Sequence, residues 1–130
     1  MSKIAIIQES PVLLDRKKTL AKAVQLIEQA VSAGAELIVF PEAYISGYPA
    51  WIWRLRPGGD WGTSEELHGR LMDSAVDIDA GDLKPLCDAA KNNKITIVCG
   101  ANERDGKLSK ATLYNTAVVI GADGSILNRH

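Results

Sequence analysis

Glu36-Leu37-Ile38-Val39-Phe40-Pro41-Glu42 is the stretch on which the fold turns. Its apolar centre, Leu37 to Phe40, is too short for a helix and carries β-branched side chains, so Glu36 to Phe40 reads as a buried strand. Pro41 ends it, having no N–H to offer a ladder. Upstream, Leu20, Val24, Ile27 and Val31 recur at helical spacing, while Lys18, Lys22, Gln25 and Gln29 can face water, which predicts a helix from about Asp15 to Ala33. Asp15 is a fitting N-cap, and Gly34 can stop the helix in the left-handed conformation. Before it, the isoleucine-rich run Lys3 to Gln8 reads as another buried strand. Strand, helix and strand over so few residues make a βαβ unit, hence neighbouring parallel strands.

Downstream, Pro41 to Thr63 is a long loop rich in Gly, Pro and aromatics. Its Trp and Tyr content favours a functional segment over a disordered one. A short helix is expected from Ser64 to about Ser74, capped by Ser64, and another over about Asp82 to Asn92 after a turn at Gly81. Ile95 to Gly100 reads as a third strand, Ala101 to Lys110 as a polar loop, and Thr112 to Ile120 as a fourth strand. Ala122-Asp123-Gly124-Ser125 is a hairpin turn, and Ile126-Leu127 begins a fifth strand. The pattern is α/β.

At 130 residues the chain fits one domain, and 46% hydrophobic residues can bury a core. A net charge of −1 gives no electrostatic case for nucleic acid or an anionic membrane as partner. No stretch approaches a membrane span, and the apolar run after Met1 is too short for a signal peptide, so a cytoplasmic location is expected. Two cysteines, Cys87 and Cys99, suit a reducing compartment.

The chemistry gathers just past the second strand. Glu42 lies at the C-terminal end of a parallel strand, where ligands bind in open α/β sheets. Six of the seven aromatics fall between Phe40 and Trp61, which favours one apolar pocket beside that carboxylate. Poor solvation there would raise its pKa and suit a general base. Tyr48, Trp51 and Trp53 are candidate pocket walls, and Asn115 a polar neighbour of the site. Glu103 and Arg104 suggest an ion pair, His68 a solvated helix position. Asp77, Asp79 and Asp82 lack the rest of a calcium-loop pattern and read as a solvated turn, so no metal is expected.

Val39-Phe40-Pro41-Glu42-Ala43 resembles the glutamate motif of the nitrilase superfamily of carbon–nitrogen hydrolases, and Ser46-Gly47-Tyr48-Pro49-Ala50-Trp51 resembles its nitrilase branch. Gln8-Glu9-Ser10-Pro11-Val12, Cys99-Gly100-Ala101-Asn102-Glu103-Arg104, and Leu113-Tyr114-Asn115-Thr116 through Asn128-Arg129-His130 resemble further family stretches, in the right order. The resemblance implies a four-layer α-β-β-α sandwich and a Glu–Lys–Cys set acting on nitriles or amides. It implies no cofactor, and a homo-oligomer. Glu42 takes the position of the general base. The family's lysine follows a run like Asn128-Arg129-His130 and its cysteine lies further on, so residues 1–130 are expected to be the N-terminal part of the domain, with the C-terminal part absent. Cys87 and Cys99 match packing positions rather than the nucleophile, and Lys94 and Lys110 are expected to be solvated. About five strands would serve two sheets, leaving open edges and a partly uncovered apolar face, so this part alone is expected to be inactive and poorly soluble or self-associated.

Three other readings compete. An amidase or N-carbamoyl hydrolase of the same superfamily is the first, against which the run Gly47-Tyr48-Pro49-Ala50-Trp51 tips the reading toward nitriles. A metal-dependent phosphoesterase would need more His and Asp ligands than two histidines allow. A truncated, non-catalytic product that only associates is the third.

Overall fold

The computed structural model describes residues 2–109 and 111–130; the expectation for Lys110 lies outside the described residues. Strand β1 (Ile4–Ile6), helix α1 (Arg16–Ser32) and strand β2 (Leu37–Val39) form the expected βαβ unit. Helices α2 (Trp61–Ser74) and α3 (Lys84–Asn93) follow, then β3 (Thr96–Arg104), β4 (Leu113–Ile120) and β5 (Ile126–Arg129). One mixed sheet holds the strands in the order β1-β2-β3-β4-β5. The β1–β2 and β2–β3 pairs are parallel, and the β3–β4 and β4–β5 pairs antiparallel. The expectation that the strands would serve two sheets is thus corrected: all five belong to one.

Local chemistry explains the boundaries. The Asp15 carboxylate accepts from the Lys18 amide at 3.0 Å, satisfying one orphan donor of α1, and Gly34 takes φ 84° just past its end. Helix α2 begins at Trp61, not at Ser64. The backbone carbonyl of Asp60, rather than a Ser64 cap, receives the Ser64 amide. Trp61-Gly62-Thr63 is a weak helix-forming start that sequence propensity passes over. Strand β3 also runs further than expected. Asn102, Glu103 and Arg104 pair with Asn115, Tyr114 and Leu113, and the Asn102 and Glu103 side chains each find a distant partner.

Alternation divides the sheet into two faces. Ile38, Ile97, Cys99, Ala101, Val118 and Ile120 point to one side and are buried under Leu20, Ala23 and Ile27 of α1 and Leu86, Ala89 and Ala90 of α3. On the other side Ile4 and Ile6 are 56% and 73% exposed, and Leu37, Val39, Val98 and Val119 are half-buried. The described chain thus supplies one helical layer and one sheet, half of a layered sandwich, with its second sheet face bare.

Candidate active site

After β2 the chain leaves the sheet at Pro41 and rejoins it at Ile45, which pairs with Ala101. The excursion rises on the bare face, directly over Gly100. A Cβ at Gly100 would meet the Pro41 carbonyl oxygen at 2.5 Å, the Ala43 nitrogen at 2.6 Å and the Glu42 Cα at 2.8 Å. Glycine is what lets this backbone lie flat on the strand. Ala43 and Ser46 adopt φ of 47° and 80°, a strained conformation for residues with side chains, kept because neighbours fix the turn. The buried Asn102 amide donates to the carbonyls of Gly47 (2.9 Å) and Ile45 (3.3 Å), and the buried Ser46 hydroxyl donates to the Ser74 carbonyl. Residues 43–47 are all buried.

Glu42 stands at the crest of this turn. Its Oε1 accepts from Asn115 Nδ2 at 2.6 Å, across 73 residues of sequence. Asn115 faces Asn102 in the β3–β4 register, so one carboxamide anchors the turn and its cross-strand neighbour holds the carboxylate that the turn carries.

The structure corrects the expected desolvation. Glu42 and Asn115 are both exposed, and the aromatics do not make one pocket. Phe40 and Tyr44 go to the core, ring centroids 5.0 Å apart. Burial there pushes the Tyr44 hydroxyl up to about 12, with Cys99 and Glu9 adding to it. Trp53 and Trp61 point outward, 73% and 74% exposed. Trp53 closes a 3₁₀ turn at Ala50–Trp53, and Trp61 opens α2. One hollow lies beside Glu42 and another beside its partner Asn115. The first, of about 490 Å³, is lined by Gln8, Glu9, Pro11, Glu42, Tyr44 and Tyr48. The other, of about 340 Å³, is reached through Asn115 and lined by Trp51, His68, Leu71, Asn102, Leu113 and Tyr114. Of the pocket candidates, Tyr48, Trp51 and Asn115 therefore border the region, and Trp53 lines neither hollow. Tyr114 and His68 were not anticipated there. Neither was legible: strand alternation turns Tyr114 away from the side of Asn115, and His68 carries no signal beyond its helix.

Neither thiol is set up as a nucleophile. Burial pushes Cys99 from 9.0 up to about 12, and burial followed by the charge of Asp88 raises Cys87; a nucleophilic cysteine needs the thiolate favoured. Lys94 is exposed and serves as the left-handed C-cap of α3.

The expected Glu103–Arg104 pair is also corrected. Neighbours on a strand point to opposite faces. Buried Glu103 instead accepts from Thr116 Oγ1 at 2.7 Å and pairs with Arg129 of β5. Arg129 and Lys107 in turn hold Asp79, at 3.3 and 2.9 Å. The Lys107 hydrogen bond and charge, then Arg129, keep the Asp79 carboxyl below the usual carboxylate range. Asp82 pairs with Arg16 at 3.1 Å and Asp77 caps the Ala80 amide, so these aspartates close turns through protein partners. Among the described residues no group of three His, Cys, Asp or Glu could hold a metal, and no helix is long and apolar enough to cross a membrane.

Comparison with known proteins bears on the family and the fold. The family described as Carbon-nitrogen hydrolase matches residues 3–130. An arylacetonitrilase of Aspergillus oryzae is 37% identical over 96% of this chain and 34% of its own length. An aliphatic nitrilase of Rhodococcus rhodochrous is 37% identical over 98% of this chain and 33% of its own. The chain thus spans about a third of the length of these curated relatives. Among solved structures, an amidase from Nesterenkonia sp. superposes with a TM-score of 0.63 at 20% identity, over 99% of this chain and 41% of that one. The C. elegans NitFhit protein gives 0.70 at 19% identity, over 100% and 28%. At such identities these two speak for the fold alone.

Proposed function

The chain belongs to the carbon–nitrogen hydrolase family, and from that premise we propose that it forms the N-terminal third of a nitrilase in which Glu42 is the general base. In this reading Glu42 takes the proton of a cysteine thiol supplied from beyond His130. The thiolate then bonds to the nitrile carbon, and a lysine stabilises the charge that develops on nitrogen. Two waters enter over the cycle, and a carboxylic acid and ammonia leave. The likeness to an arylacetonitrilase and an aliphatic nitrilase favours nitriles over amides. The enzyme in this proposal is cytoplasmic, homo-oligomeric and free of cofactors. Residues 1–130 alone are inactive, and their bare sheet face and open edges at β1 and β5 drive self-association.

The observation that carries the proposal is the register of β5. Ala117 and His130 exchange both backbone hydrogen bonds, at 2.7 and 2.9 Å. If β5 continued in that register, the second residue beyond His130 would come opposite Asn115, on the face of Glu42. That is where a lysine would meet the carboxylate's own hydrogen-bond partner. The alternative, an amidase or N-carbamoyl hydrolase, shares this geometry. Ammonia release by the full-length enzyme, measured with phenylacetonitrile, an aliphatic nitrile and the matching amides, separates the two. Turnover of nitriles ahead of amides is expected; turnover of amides alone would replace the nitrilase reading with the amidase one.

A further inference from the structure

We propose that Asn115 is a positioning residue for the reaction, holding Glu42 in the orientation that a base requires; this rests on the role of Glu42 proposed above. Glu42 is exposed at the crest of a turn, and a glutamate side chain so placed samples several rotamers. The 2.6 Å contact from Asn115 Nδ2 to Oε1 is the hydrogen bond that ties this carboxylate to the sheet. Asn115 can do so because it lies on β4, paired with β3 over Leu113–Ile120, while the turn itself is held on β3 by Gly100 and Asn102. Carboxylate and carboxamide therefore share one rigid frame. The bond occupies Oε1 and leaves Oε2 to receive a proton. A carboxamide also keeps an acceptor oxygen after its amide is spent, so it can face a cation on its other side. A carboxylate at this place would lack the donor, and an ammonium the acceptor. A side chain this well matched to its partner is exposed on a strand, where a purely structural role would reward packing instead.

The test is a double-mutant cycle in the full-length enzyme, comparing Asn115→Ala, Glu42→Gln and the double variant by kcat and KM for one nitrile, with Asn115→Gln as a conservative partner. Asn115→Ala is expected to lower kcat about tenfold to a hundredfold with KM little changed, and Asn115→Gln to recover part of the loss. In the double variant the Asn115 effect is expected to vanish, its rate equal to that of Glu42→Gln, because Asn115 acts through that carboxylate. Additive losses, a loss confined to KM, or an unchanged kcat in Asn115→Ala would overturn the positioning role. A Glu42→Gln variant that keeps its activity would instead remove Glu42 as base and the positioning role with it. Circular dichroism and the oligomeric state of Asn115→Ala report separately on folding, since exposed Asn115 supports no buried contact. A misfolded Asn115→Ala alongside a folded Asn115→Gln with full kcat would also count against the proposal.

Discussion

The turn at Pro41–Gly47 and the segment that follows it, Tyr48–Asp60, are neighbours in sequence and opposites in structure. The first is buried from Ala43 to Gly47, holds two non-glycine residues at positive φ, and is stapled to β3 by Gly100 and Asn102. The second is largely exposed and turns Trp53 to the surface. The exposed Trp53 is thus not what positions Glu42; strand register and one glycine do that. The lesson concerns what fixes a reactive group. A base needs a backbone that cannot drift, and the molecule invests its strain and its buried polar bonds in the short turn.

Substitutions can break that contrast in graded steps, in the full-length enzyme. The largest effect is expected at Gly100. In Gly100→Ala the new methyl collides with three backbone atoms, so the turn must lift and take Glu42 with it. A loss of about 1–3 kcal/mol in stability and about a hundredfold in kcat is expected, read by urea denaturation and steady-state rates. Unchanged rates would mean that the turn is not held by this contact. Next comes Asn102→Ala, which strips the Gly47 carbonyl of its donor and leaves the Ile45 carbonyl only the backbone amide of residue 102, and should cost about 1–3 kcal/mol. A midpoint shift in urea without a change in slope is the expected signature.

A third step sharpens the picture of the covered face. Cys99 and Tyr44 have folded-state values raised to about 12 from 9.0 and 10.0. A raised group contributes stability below its unfolded value and loses it as pH climbs toward the folded one. Stability should therefore decline from about pH 9 to pH 12, while Cys99→Ala should flatten the earlier part of that decline. Urea midpoints measured across this range check it; an unaltered profile in Cys99→Ala would show that the thiol is not desolvated. The smallest effect belongs to the exposed segment. Trp53→Ser should change stability by no more than about 0.5 kcal/mol and leave kcat as it was, since Trp53 lines neither hollow. A marked loss of activity would return Trp53 to the site.

The reach of sequence reasoning follows from the range of each interaction. The βαβ unit was legible because period and capping are local: Leu20, Val24 and Ile27 mark a face, and Asp15 sits three residues from the amide it accepts. Glu42 was legible as a strand-exit carboxylate for the same reason. The extension of β3 through Asn102-Glu103-Arg104 was not, because polar residues enter a strand only when distant partners receive them. Glu103 finds Thr116 and Arg129, and Asn102 finds the carbonyls of the turn. The bond from Asn115 to Glu42 depends on the β3–β4 register and on the excursion over Gly100, neither of which residue spacing reveals. The exposure of Glu42 escaped for a related reason. Aromatic clustering along the chain does not say which face of a sheet, or which side of a turn, each ring will take.

The central claim is that the Glu42 carboxylate accepts the proton whose departure arms a sulfur nucleophile. Intact-mass spectrometry of the full-length enzyme, mixed with a nitrile and quenched within a single turnover, measures the covalent adduct directly. Glu42→Gln, which keeps the shape and can still accept the Asn115 bond but cannot take a proton, is expected to form the adduct at least about a hundredfold more slowly than the unaltered enzyme. Adduct formation at an undiminished rate in Glu42→Gln would contradict the account.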